Sequence, residues 1–565
     1  MKTLNWRLTD ADEEAAGALA SLIGLRSLTA RILVSRGLGA GDAVTRFLNP
    51  RLAGLRPPTG MADLERALDR LGRAIRDREQ VGIFGDYDAD GVTTAAILTI
   101  GLRALGASVV PRVASRGSGY GLPAEVVDEL GEGGCRLIVT GDCGTSDVPA
   151  LLRARERNID VVVIDHHQVP SGERLAYALI NPHQVEDQFP FKGLASCGVA
   201  FYLIAALRSR LGISTFDPRE LLDLVALGSI GDLVPLVDEN RILVAAGLRV
   251  IGARRRPGVR ALADLAHLTD PVIAADDVSF RMTPRLNAAG RLGDAQLALD
   301  LLLAADDAEA TALAARLDDV NRERQRIQEL VWGEALAAAA AWADAPAIVV
   351  GQEGWHHGVV GIIAARLVDK FSRPVVVVGF DGAVGRGSAR TIPGLHLHET
   401  LTACRDHLAR FGGHAGAAGV TLAPAQLDGF RSAFLNEVGR RTGIDSHRAP
   451  VISVDGVIDL AEVDIGLVED LRRLAPFGAG NAEPVLALRG LTITDTRVVG
   501  QNHLQLGLSC AGVRAEAIGF NMADQDPGRG AEIDLIAVAE VDTFRGTRRA
   551  RLRVKHLGRS AGGAA

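Results

Sequence analysis

Three short apolar runs, each followed directly by an acid-bearing turn, constrain the fold of this chain more than any other feature of its sequence. The runs and the first acid after each are 81–84 with Asp86, 137–140 with Asp142, and 161–164 with Asp165. Continuous apolar and β-branched runs, separated by helical stretches, are typical of parallel strands covered on both faces. The carboxyl ends of such strands meet at one edge of the sheet, where open α/β folds bind ligands. We therefore predict an α/β fold with several acids gathered at one sheet edge.

The first of these turns carries three carboxylates at alternate positions, on Asp86, Asp88 and Asp90. We expect this stretch to be extended and the following helix to begin at Thr93, so that Asp88 and Asp90 point into the same crevice. Carboxylates this close repel one another unless a cation lies between them, which favours a hard divalent ion such as Mg²⁺ or Mn²⁺. An acidic turn that only caps a helix is the alternative for this stretch taken alone.

The third turn and a further acid extend the candidate metal site. His166 and His167 follow Asp165, and Asp232 follows the apolar stretch 224–230. Carboxylates with histidines and no thiolates suit Mn²⁺ or Mg²⁺ better than structural Zn²⁺. The acids suffice for two ions, which together can activate a water and stabilise a leaving oxygen at phosphorus. We therefore expect phosphoester hydrolysis, with a pair of ordinary core histidines as the alternative for His166 and His167.

The composition is that of an ordinary globular protein with about three domains. Hydrophobic residues make up 47% and charged residues 23% of the 565 residues, and a domain typically holds ~100–200 residues. The five cysteines are scattered without a C-x-x-C pair, which argues against a disulfide framework and against structural zinc. Neither a signal sequence nor an apolar run of the ~18 residues needed to span a membrane is visible. We therefore expect a cytoplasmic enzyme without a membrane partner.

The net charge of −7 would by itself argue against a nucleic-acid partner. Net charge is a weak guide, however, because a metal site concentrates acids while a binding surface can be locally basic. Two basic clusters occur, at 254–260 and at 545–555. Each is either a surface that contacts nucleic acid or an ordinary solvated face.

The pattern of apolar residues divides the chain into successive regions. Residues 1–75 are predicted to form helices and loops, and a long proline-free pattern with one apolar face predicts a helix within 305–342 that can bridge two domains. Strands at 347–350 and 375–378, with a helix between them, predict a second α/β unit. Short alternating segments from 450 to 557 predict a small β-barrel. The predicted boundaries are 1–300, 301–345, 346–449, 450–557, and 558–565 for a disordered tail.

Several motifs resemble those of the DHH phosphoesterase family. The successive motifs of that family match 86–91, 141–144 and 165–167. More narrowly, the chain resembles the RecJ exonucleases within the family, in four further motifs at 284–291, 354–361, 412–419 and 476–481. The resemblance spans nearly the whole chain, from residue 6 to residue 557. It implies an N-terminal segment with a DHH domain, then a long connecting helix, a DHH-associated α/β domain and an oligonucleotide-binding (OB) barrel, in the order of the boundaries given above.

The same resemblance implies a function. It indicates a 5′-to-3′ exonuclease that hydrolyses the phosphodiester bonds of single-stranded DNA to nucleoside 5′-monophosphates, with two Mn²⁺ or Mg²⁺ ions, in DNA repair and recombination. Single-stranded DNA would be the main partner, and a single-strand-binding protein and a helicase are the expected protein partners. The polarity comes from the resemblance alone, because neither spacing nor composition indicates it.

Carried over position by position, the resemblance assigns a role to each candidate in the first domain. The implied metal ligands are Asp88, Asp90, Asp142, His166 and Asp232, with Asp142 as the bridge between two ions. Asp86 and Asp165 would support these ligands, and His167 would contact the scissile phosphate or the attacking water. Arg285 and Arg291 would neutralise charge on the phosphate oxygens, with a structural ion pair as the alternative for either.

The remaining candidates concern the bound strand. Ser388 and Arg390 lie on one side of a predicted extended loop and resemble the family's pocket for the terminal 5′-phosphate. His414 is a further candidate for phosphate binding. His356 and His357 are candidates for substrate contact, with turn packing as the alternative for one of them. We choose Arg116 over Arg112 as the arginine that reaches the terminal phosphate, in a loop that is longer here than is usual in the family. Tyr120 either stacks on a base or packs in the core.

Two other functions stay open at this point. A DHH hydrolase of small substrates, such as short oligonucleotides or cyclic dinucleotides, would usually lack a barrel like the one predicted at 450–557. A non-catalytic single-strand-binding or scaffold relative would lack metal ligands, whereas every acidic position of the motifs is filled here. Both observations favour the nuclease.

Overall fold

The computed structural model of the chain describes residues 4–115, 119–442, 451–542 and 548–559. The described chain begins with a short strand and three helices. These are β1 (Trp6–Leu8), α1 (Glu13–Ile23), α2 (Ser27–Ser35) and α3 (Asp42–Leu48). The sequence predicted helices in this region, but it did not predict β1.

The first domain is built on a five-stranded parallel sheet in the order β3-β2-β4-β5-β6. Its strands are β2 (Gln80–Gly85), β3 (Ser108–Val113), β4 (Leu137–Gly141), β5 (Asp160–Ile164) and β6 (Ala178–Ile180). The surrounding helices are α4 (Leu64–Arg76), α5 (Ala89–Ala104), α6 (Ala124–Glu132) and α7 (Val148–Glu156). The parallel sheet and its three central strands are therefore confirmed, since each contains one of the predicted apolar runs.

A helical layer completes the first domain. It comprises α8 (Ser196–Leu211), α9 (Leu222–Gly231), α10 (Asp238–Gly252), α11 (Pro257–Leu265), α12 (Ala275–Asp277), a π-helical turn (Val278–Met282), α13 (Thr283–Leu292) and α14 (Gln296–Leu303). Helices α8 and α9 are apolar on nearly every face because they are buried among α5 and the other helices of one hydrophobic core. This packing fixes the N-terminus of α8 and the C-terminus of α9 beside the carboxyl edge of the sheet.

The predicted long helix is present as α15 (Asp307–Ala340). At ~1.5 Å per residue, its 34 residues span about 50 Å. Leu317 in its N-terminal third packs into the core of the first domain, whereas Val331 in its C-terminal third packs into a separate core of the second domain. The helix therefore bridges two domains, as predicted.

The second domain has a mixed five-stranded sheet in the order β10-β11-β9-β8-β7. Its elements are β7 (Ile348–Glu353), α16 (Val360–Phe371), β8 (Val375–Asp381), β9 (Val384–Arg390), α17 (Leu397–Ala403), β10 (Arg410–Gly413), β11 (Ala417–Leu422) and α18 (Leu427–Thr442). Strands β7 and β8 are parallel and the other pairs are antiparallel. The predicted second α/β unit is therefore confirmed, with three strands that the sequence did not predict.

The C-terminal domain is a closed β-barrel, as predicted. Its elements are β12 (Ile452–Val454), β13 (Gly456–Val457), α19 (Ile465–Arg472), β14 (Leu486–Val499), β15 (His503–Cys510), β16 (Val513–Gly519), β17 (Glu532–Asp542) and β18 (Arg549–Arg559). The strand order is β13-β14-β15-β16-β18-β17, and pairing of β14 with β17 closes the barrel. Of the predicted tail, residues 558 and 559 belong to β18, and the rest lies outside the described residues.

The N-terminal segment packs on the barrel, although the sequence analysis grouped it with the first domain. Strand β1 pairs in parallel with β12. Leu19, Ile32 and Leu33 are buried in the same hydrophobic core as Leu488 and Leu535 of the barrel. The segment and the C-terminal domain therefore form one packed unit from opposite ends of the described chain.

Within the described ranges, no helix is both long enough and apolar enough to cross a membrane.

Candidate metal centre

The acids after β2 lie at the junction between a strand and a helix. Helix α5 begins at Ala89, and Asp88 caps it by accepting hydrogen bonds from the backbone N–H groups of Asp90 (3.0 Å) and Gly91 (3.1 Å). The prediction of extended backbone up to Thr93 is therefore wrong. Asp90 lies in the first helical turn, and the cap itself is what ends the extended chain early.

Close packing of this junction brings Asp86 beside Asp88. A Cβ atom added at Gly91 would lie 2.5 Å from the backbone nitrogen and oxygen of Asp86. One added at Gly85 would lie 2.4 Å from the carbonyl oxygen of Gly91. Only glycines allow the start of α5 to press against the end of β2 in this way.

The N-terminus of α8 holds Asp90 in place. The Asp90 carboxylate accepts hydrogen bonds from the backbone N–H groups of Ser196 (2.7 Å) and Cys197 (3.0 Å), where the helix dipole also favours a negative charge. The Ser196 hydroxyl donates to Asp142 Oδ1 (3.0 Å). Ser196 thus positions two acids. Sequence reasoning missed it, because a serine before an apolar helix marks a helix start but not which acids lie nearby.

Among the residues that the structure describes, three groups of side chains have potential ligand atoms within 4.8 Å of one another: Asp86, Asp88 and Asp142; Asp90, His166 and Asp232; and Asp142, His166 and His167. All five implied ligands are therefore brought together in one centre. Asp142 and His166 each belong to two of the groups, and the two carboxylate oxygens of Asp142 suit a bridging position. Asp86, expected to be a supporting residue, is itself close enough to act as a ligand.

The electrostatics of the centre fit a cation. Burial, followed by the charges of Asp90 and Asp88, raises the pKa of Asp142 well above its usual range and that of Asp232 to about 8. Burial lowers the pKa of His166, whose Nε2 lies 3.3 Å from Asp142 Oδ1 and 3.4 Å from Asp232 Oδ2. This buried nitrogen has no hydrogen-bond partner among the described residues. Such a set of oxygen donors with one neutral imidazole suits Mn²⁺ or Mg²⁺.

His167 is held as a charged group by its neighbour Asp165. Its Nδ1 lies 2.8 Å from Asp165 Oδ1, which also accepts the backbone N–H groups of His166 and His167. Burial opposes charge on the His167 ring, but the hydrogen bond to Asp165 outweighs it and raises the pKa of His167 to about 9. Asp165 therefore supports both histidines.

Tyr120 occupies a position that neither sequence prediction described. Its hydroxyl donates to the backbone carbonyl of Asp142 (3.1 Å) and lies 3.0 Å from His167 Nδ1. The side chain is 50% exposed, which does not match packing in the core. Its ring meets that of His167 edge to face at 5.4 Å. Base stacking by the exposed face stays a prediction.

Arg285 forms a structural ion pair, which was the alternative to the expected contact with phosphate. Its Nε donates to Asp318 Oδ1 on α15 (2.8 Å), and its other nitrogens donate to backbone carbonyls of residues 281 and 265. The guanidinium is therefore committed to fastening α13 to the connecting helix. Arg291 instead donates from Nη1 to the carbonyl of Gly358 (3.1 Å) and lies in the groove between the two domains.

That groove has a volume of about 760 Å³ and extends from the metal centre to the second domain. Of the predicted residues, it is lined by Asp88, Arg291, His357, Ser388 and Arg390. The last two lie on strand β9 rather than in the predicted loop, and Arg390 Nη1 donates to Ser388 Oγ (2.8 Å). Regular alternation along this strand places both side chains on one face.

Three other candidates for substrate contact differ in position. His414 Nδ1 accepts the backbone N–H of Gly416 (3.2 Å), and its pKa is lowered by burial and by the charge of Arg390. His356 stacks on His357, and its Nδ1 accepts the N–H of Gly358, so His356 has a turn-packing role. Arg116 lies outside the described residues.

Most described arginines of the two basic clusters are paired with acids within the protein. Each described arginine named here has an acidic partner: Arg254 with Asp264, Arg256 with Asp223, Arg260 with Asp307, Arg548 with Glu469, Arg549 with Glu516, Arg551 with Glu540 and Arg553 with Glu483. The solvated-face alternative therefore describes them better than a nucleic-acid surface. Arg545 lies outside the described residues.

Comparison with known proteins identifies the family. Family models match residues 80–229 (DHH family, N-terminal domain), 344–439 (DHHA1 domain) and 454–556 (RecJ OB domain). A Bacillus subtilis protein named single-stranded-DNA-specific exonuclease RecJ is 35% identical over 560 residues, covering 98% of this chain and 70% of that protein. A protein of the same name from Dickeya dadantii is 36% identical, covering 94% and 96% respectively. The chain belongs to the RecJ family.

Solved RecJ structures share this fold. The crystal structure of Thermus thermophilus RecJ in complex with Mn²⁺ matches this chain with a TM-score of 0.84 and 32% identity. The match covers 100% of this chain and 81% of the Thermus chain. The complex of the same protein with Mg²⁺ has a TM-score of 0.79 and 30% identity, with coverage of 99% and 79%. The predicted membership of the RecJ family is therefore confirmed, as are the DHH, DHH-associated and OB domains of this chain.

Proposed function

We propose that this chain is a metal-dependent exonuclease that hydrolyses the phosphodiester bonds of single-stranded DNA. The observation that carries the proposal is the convergence of five acids and two histidines at the end of a groove that continues to Ser388 and Arg390. The relatives named single-stranded-DNA-specific exonuclease and those solved with Mn²⁺ or Mg²⁺ support the same substrate and cofactor.

The ligands would hold two cations in adjacent positions. Asp86, Asp88 and Asp142 would hold one, and Asp90, His166 and Asp232 the other, with Asp142 shared between them. The bound ions would polarise the phosphate and supply a water of lowered pKa. Ser196 and the N-terminus of α8 keep two of the acids in position for this task.

His167 would act on the phosphate as a proton-bearing group. With a pKa of about 9, its ring is charged at neutral pH and can donate a hydrogen bond to a phosphate oxygen or to the attacking water. Asp165 and Tyr120 hold the ring at its Nδ1, which leaves Nε2 to face the substrate. Arg291 would neutralise charge on the phosphate from the other wall of the groove.

The second domain would determine polarity. We place the terminal 5′-phosphate between Ser388, Arg390 and His414, with Arg116 and His357 as further contacts, so that cleavage at the metal centre releases a nucleoside 5′-monophosphate. Polarity, product and a role in DNA repair and recombination follow from the resemblance to the family. On the same basis we propose a cytoplasmic enzyme that works with a single-strand-binding protein and a helicase.

Digestion of end-labelled strands tests this function. Strands labelled at either end, with and without a 5′-phosphate, would be incubated with the full chain in Mn²⁺ and then in chelator. We expect labelled mononucleotide to appear first from the 5′ end, faster from phosphorylated strands, and only with metal. Earlier release from the 3′ end would contradict the polarity, and equal rates on a dinucleotide and a long strand would favour a hydrolase of small substrates.

A further inference from the structure

Two arginines that the sequence analysis did not select also line the groove. Arg386 on β9 and Arg410 on β10 are both exposed there, and Thr421 on β11 lines the groove as a half-buried residue. Neither guanidinium has a hydrogen bond or an ion pair within the part of the chain that the structure describes. This distinguishes them from most arginines of the two basic clusters, which have acidic partners.

The register of the sheet puts these three side chains in one row. Thr421 lies opposite Arg386 on one side and opposite Arg410 on the other. Residues directly opposite one another in antiparallel strands share a face of the sheet. Ala389, Val420 and Leu422 are buried in the core on the other face, so the row faces the groove.

The row lies two residues along β9 from Ser388, which with Arg390 is proposed to hold the terminal phosphate. Arg386 and Ser388 are two residues apart on the same face, which corresponds to about 6.6 Å along the strand. Arg386 and Arg410 are separated by one strand, or about 10 Å between backbones. Two arginine side chains can close this gap from both sides around one phosphate, with the threonine hydroxyl beneath it.

The face of the sheet beside Ser388, next to the row, is open. The next cross-strand line contains Ser388, Gly419 and Gly412. A Cβ atom added at Gly412 would meet no atom within 4 Å, and one at Gly419 would meet only the carbonyl oxygen of Gly387 at 3.9 Å. A sugar-phosphate backbone can therefore approach the sheet closely along this trough.

We infer that Arg386, Thr421 and Arg410 form a second phosphate subsite, which binds a phosphate of the substrate strand other than the scissile one and the one held by Ser388 and Arg390. The inference rests on the proposed function, because that function supplies the strand. The phosphate belongs either to an internucleotide linkage of an extended strand or to a 5′-di- or triphosphate end. Both sources present the same anionic group to the same guanidinium pair.

Equilibrium binding tests the subsite without turnover. The full chain in an Asp142→Asn background would be compared with the same chain carrying Arg386→Gln and Arg410→Gln. Arg405→Gln is the matched control, because Arg405 is an exposed arginine of the same domain that does not line the groove. We expect the double variant to bind a 3′-labelled, 5′-phosphorylated decanucleotide about tenfold more weakly, and its salt dependence to fall by about 0.7 in log–log slope.

Modified strands identify the source of the phosphate. A neutral methylphosphonate at one internucleotide position should weaken binding to the chain with both arginines and leave the double variant unaffected, if that linkage occupies the subsite. A 5′-triphosphate should instead strengthen binding only when both arginines are present, if the end occupies it. Gly412→Val should weaken binding in either case by filling the trough. A thermal melt of each variant checks that it is folded.

The outcomes separate this inference from the proposed function. If the double variant binds every strand as the Arg405→Gln control does, with the same salt slope, there is no second subsite. If the parent chain binds no strand at all, the subsite is also rejected. Failure of the unmodified chain to release nucleotides in Mn²⁺ would reject the proposed function, while the binding comparison would still decide whether Arg386 and Arg410 hold a phosphate.

Discussion

Asp142 and His166 each belong to two of the three ligand groups, and of the two only the Asp142 carboxylate has two donor atoms with which to serve both cation positions. We expect Asp142→Asn to lower the rate of nucleotide release in Mn²⁺ by at least about a hundredfold, since one shared ligand serves both cation positions. Added Mn²⁺ should also raise the melting temperature of the unmodified chain, by linkage between binding and folding, and should do so much less in the variant.

The same variant should fold without difficulty. Asp142 is buried among other acids that raise its pKa, so replacing its carboxyl with an amide removes repulsion in the absence of metal. Asp344→Asn is a suitable control, because that residue is exposed and lies on another domain. Full activity of Asp142→Asn, or an equal Mn²⁺ shift in both variants, would contradict the proposed centre.

Tyr120 offers two separable contributions, one from its hydroxyl and one from its ring. Tyr120→Phe removes the bond to the Asp142 carbonyl and the contact with His167, so we expect kcat to fall about fivefold, equivalent to roughly 1 kcal/mol, with KM unchanged. Tyr120→Ala should in addition raise KM by the ~1–3 kcal/mol of a stacked base. Steady-state kinetics on a long single strand, with Tyr177→Phe as control, measure both. Equal KM values for the two variants would exclude stacking.

Candidate ligands could be predicted from the sequence because each follows a recognisable element. Asp142 and His166 come directly after apolar strands, and the end of a parallel strand has a known place in the fold. Ser196 could not be predicted, since its partner Asp90 is 106 residues away in the chain. Contacts of this kind depend on which helix packs beside which strand, and a local pattern does not encode that choice.

At the scale of elements, Arg285 joins α13 to the connecting helix through Asp318. We expect both Arg285→Gln and Asp318→Asn to lower the free energy of unfolding of this region by about 1.5 to 3 kcal/mol, because each breaks a charge-assisted hydrogen bond that is largely shielded from water. Neither should change kcat by more than a few fold. Denaturant unfolding and nucleotide-release rates measure the two effects.

A matched control for this pair is Arg322→Gln. Arg322 also bonds to Asp318, but its side chain is 68% exposed, so its loss should cost less than about 1 kcal/mol. If Arg285→Gln instead reduced kcat strongly while Asp318→Asn did not, Arg285 would be a phosphate contact after all, and the structural role would be secondary.

The sequence predicted the central strands of the first sheet but not its two edge strands. The central strands β2, β4 and β5 are continuous apolar runs because they are buried on both faces. Strand β3 is at an edge, is largely half-buried and contains Pro111, which a strand tolerates only where one side is unpaired. Strand β6, at the other edge, has only three residues. Neither gives the run that marks a buried strand.

At the scale of the whole molecule, the sequence predicted the order of the domains but not which surfaces meet. The N-terminal helices and the barrel strands each have apolar faces, but nothing in either pattern indicates that the two faces pack against each other. Arg26 on the N-terminal side bonds to Asp464 near the barrel, a partner 438 residues away. Proximity along the chain predicts that the N-terminal segment belongs to the first domain. The shared hydrophobic core instead attaches it to the last domain.

This arrangement predicts which domain a cavity in the N-terminal segment will destabilise. Leu33→Ala removes a fully buried side chain from the core shared with the barrel, and Leu98→Ala does the same in the core of the first domain. Each should cost about 2 to 5 kcal/mol. In hydrogen exchange, Leu33→Ala should speed the exchange of amides in β14 to β18, and Leu98→Ala that of amides in β2, β4 and β5. Faster exchange in the parallel sheet of Leu33→Ala, with the barrel unchanged, would mean that the two ends of the chain do not form one cooperative unit.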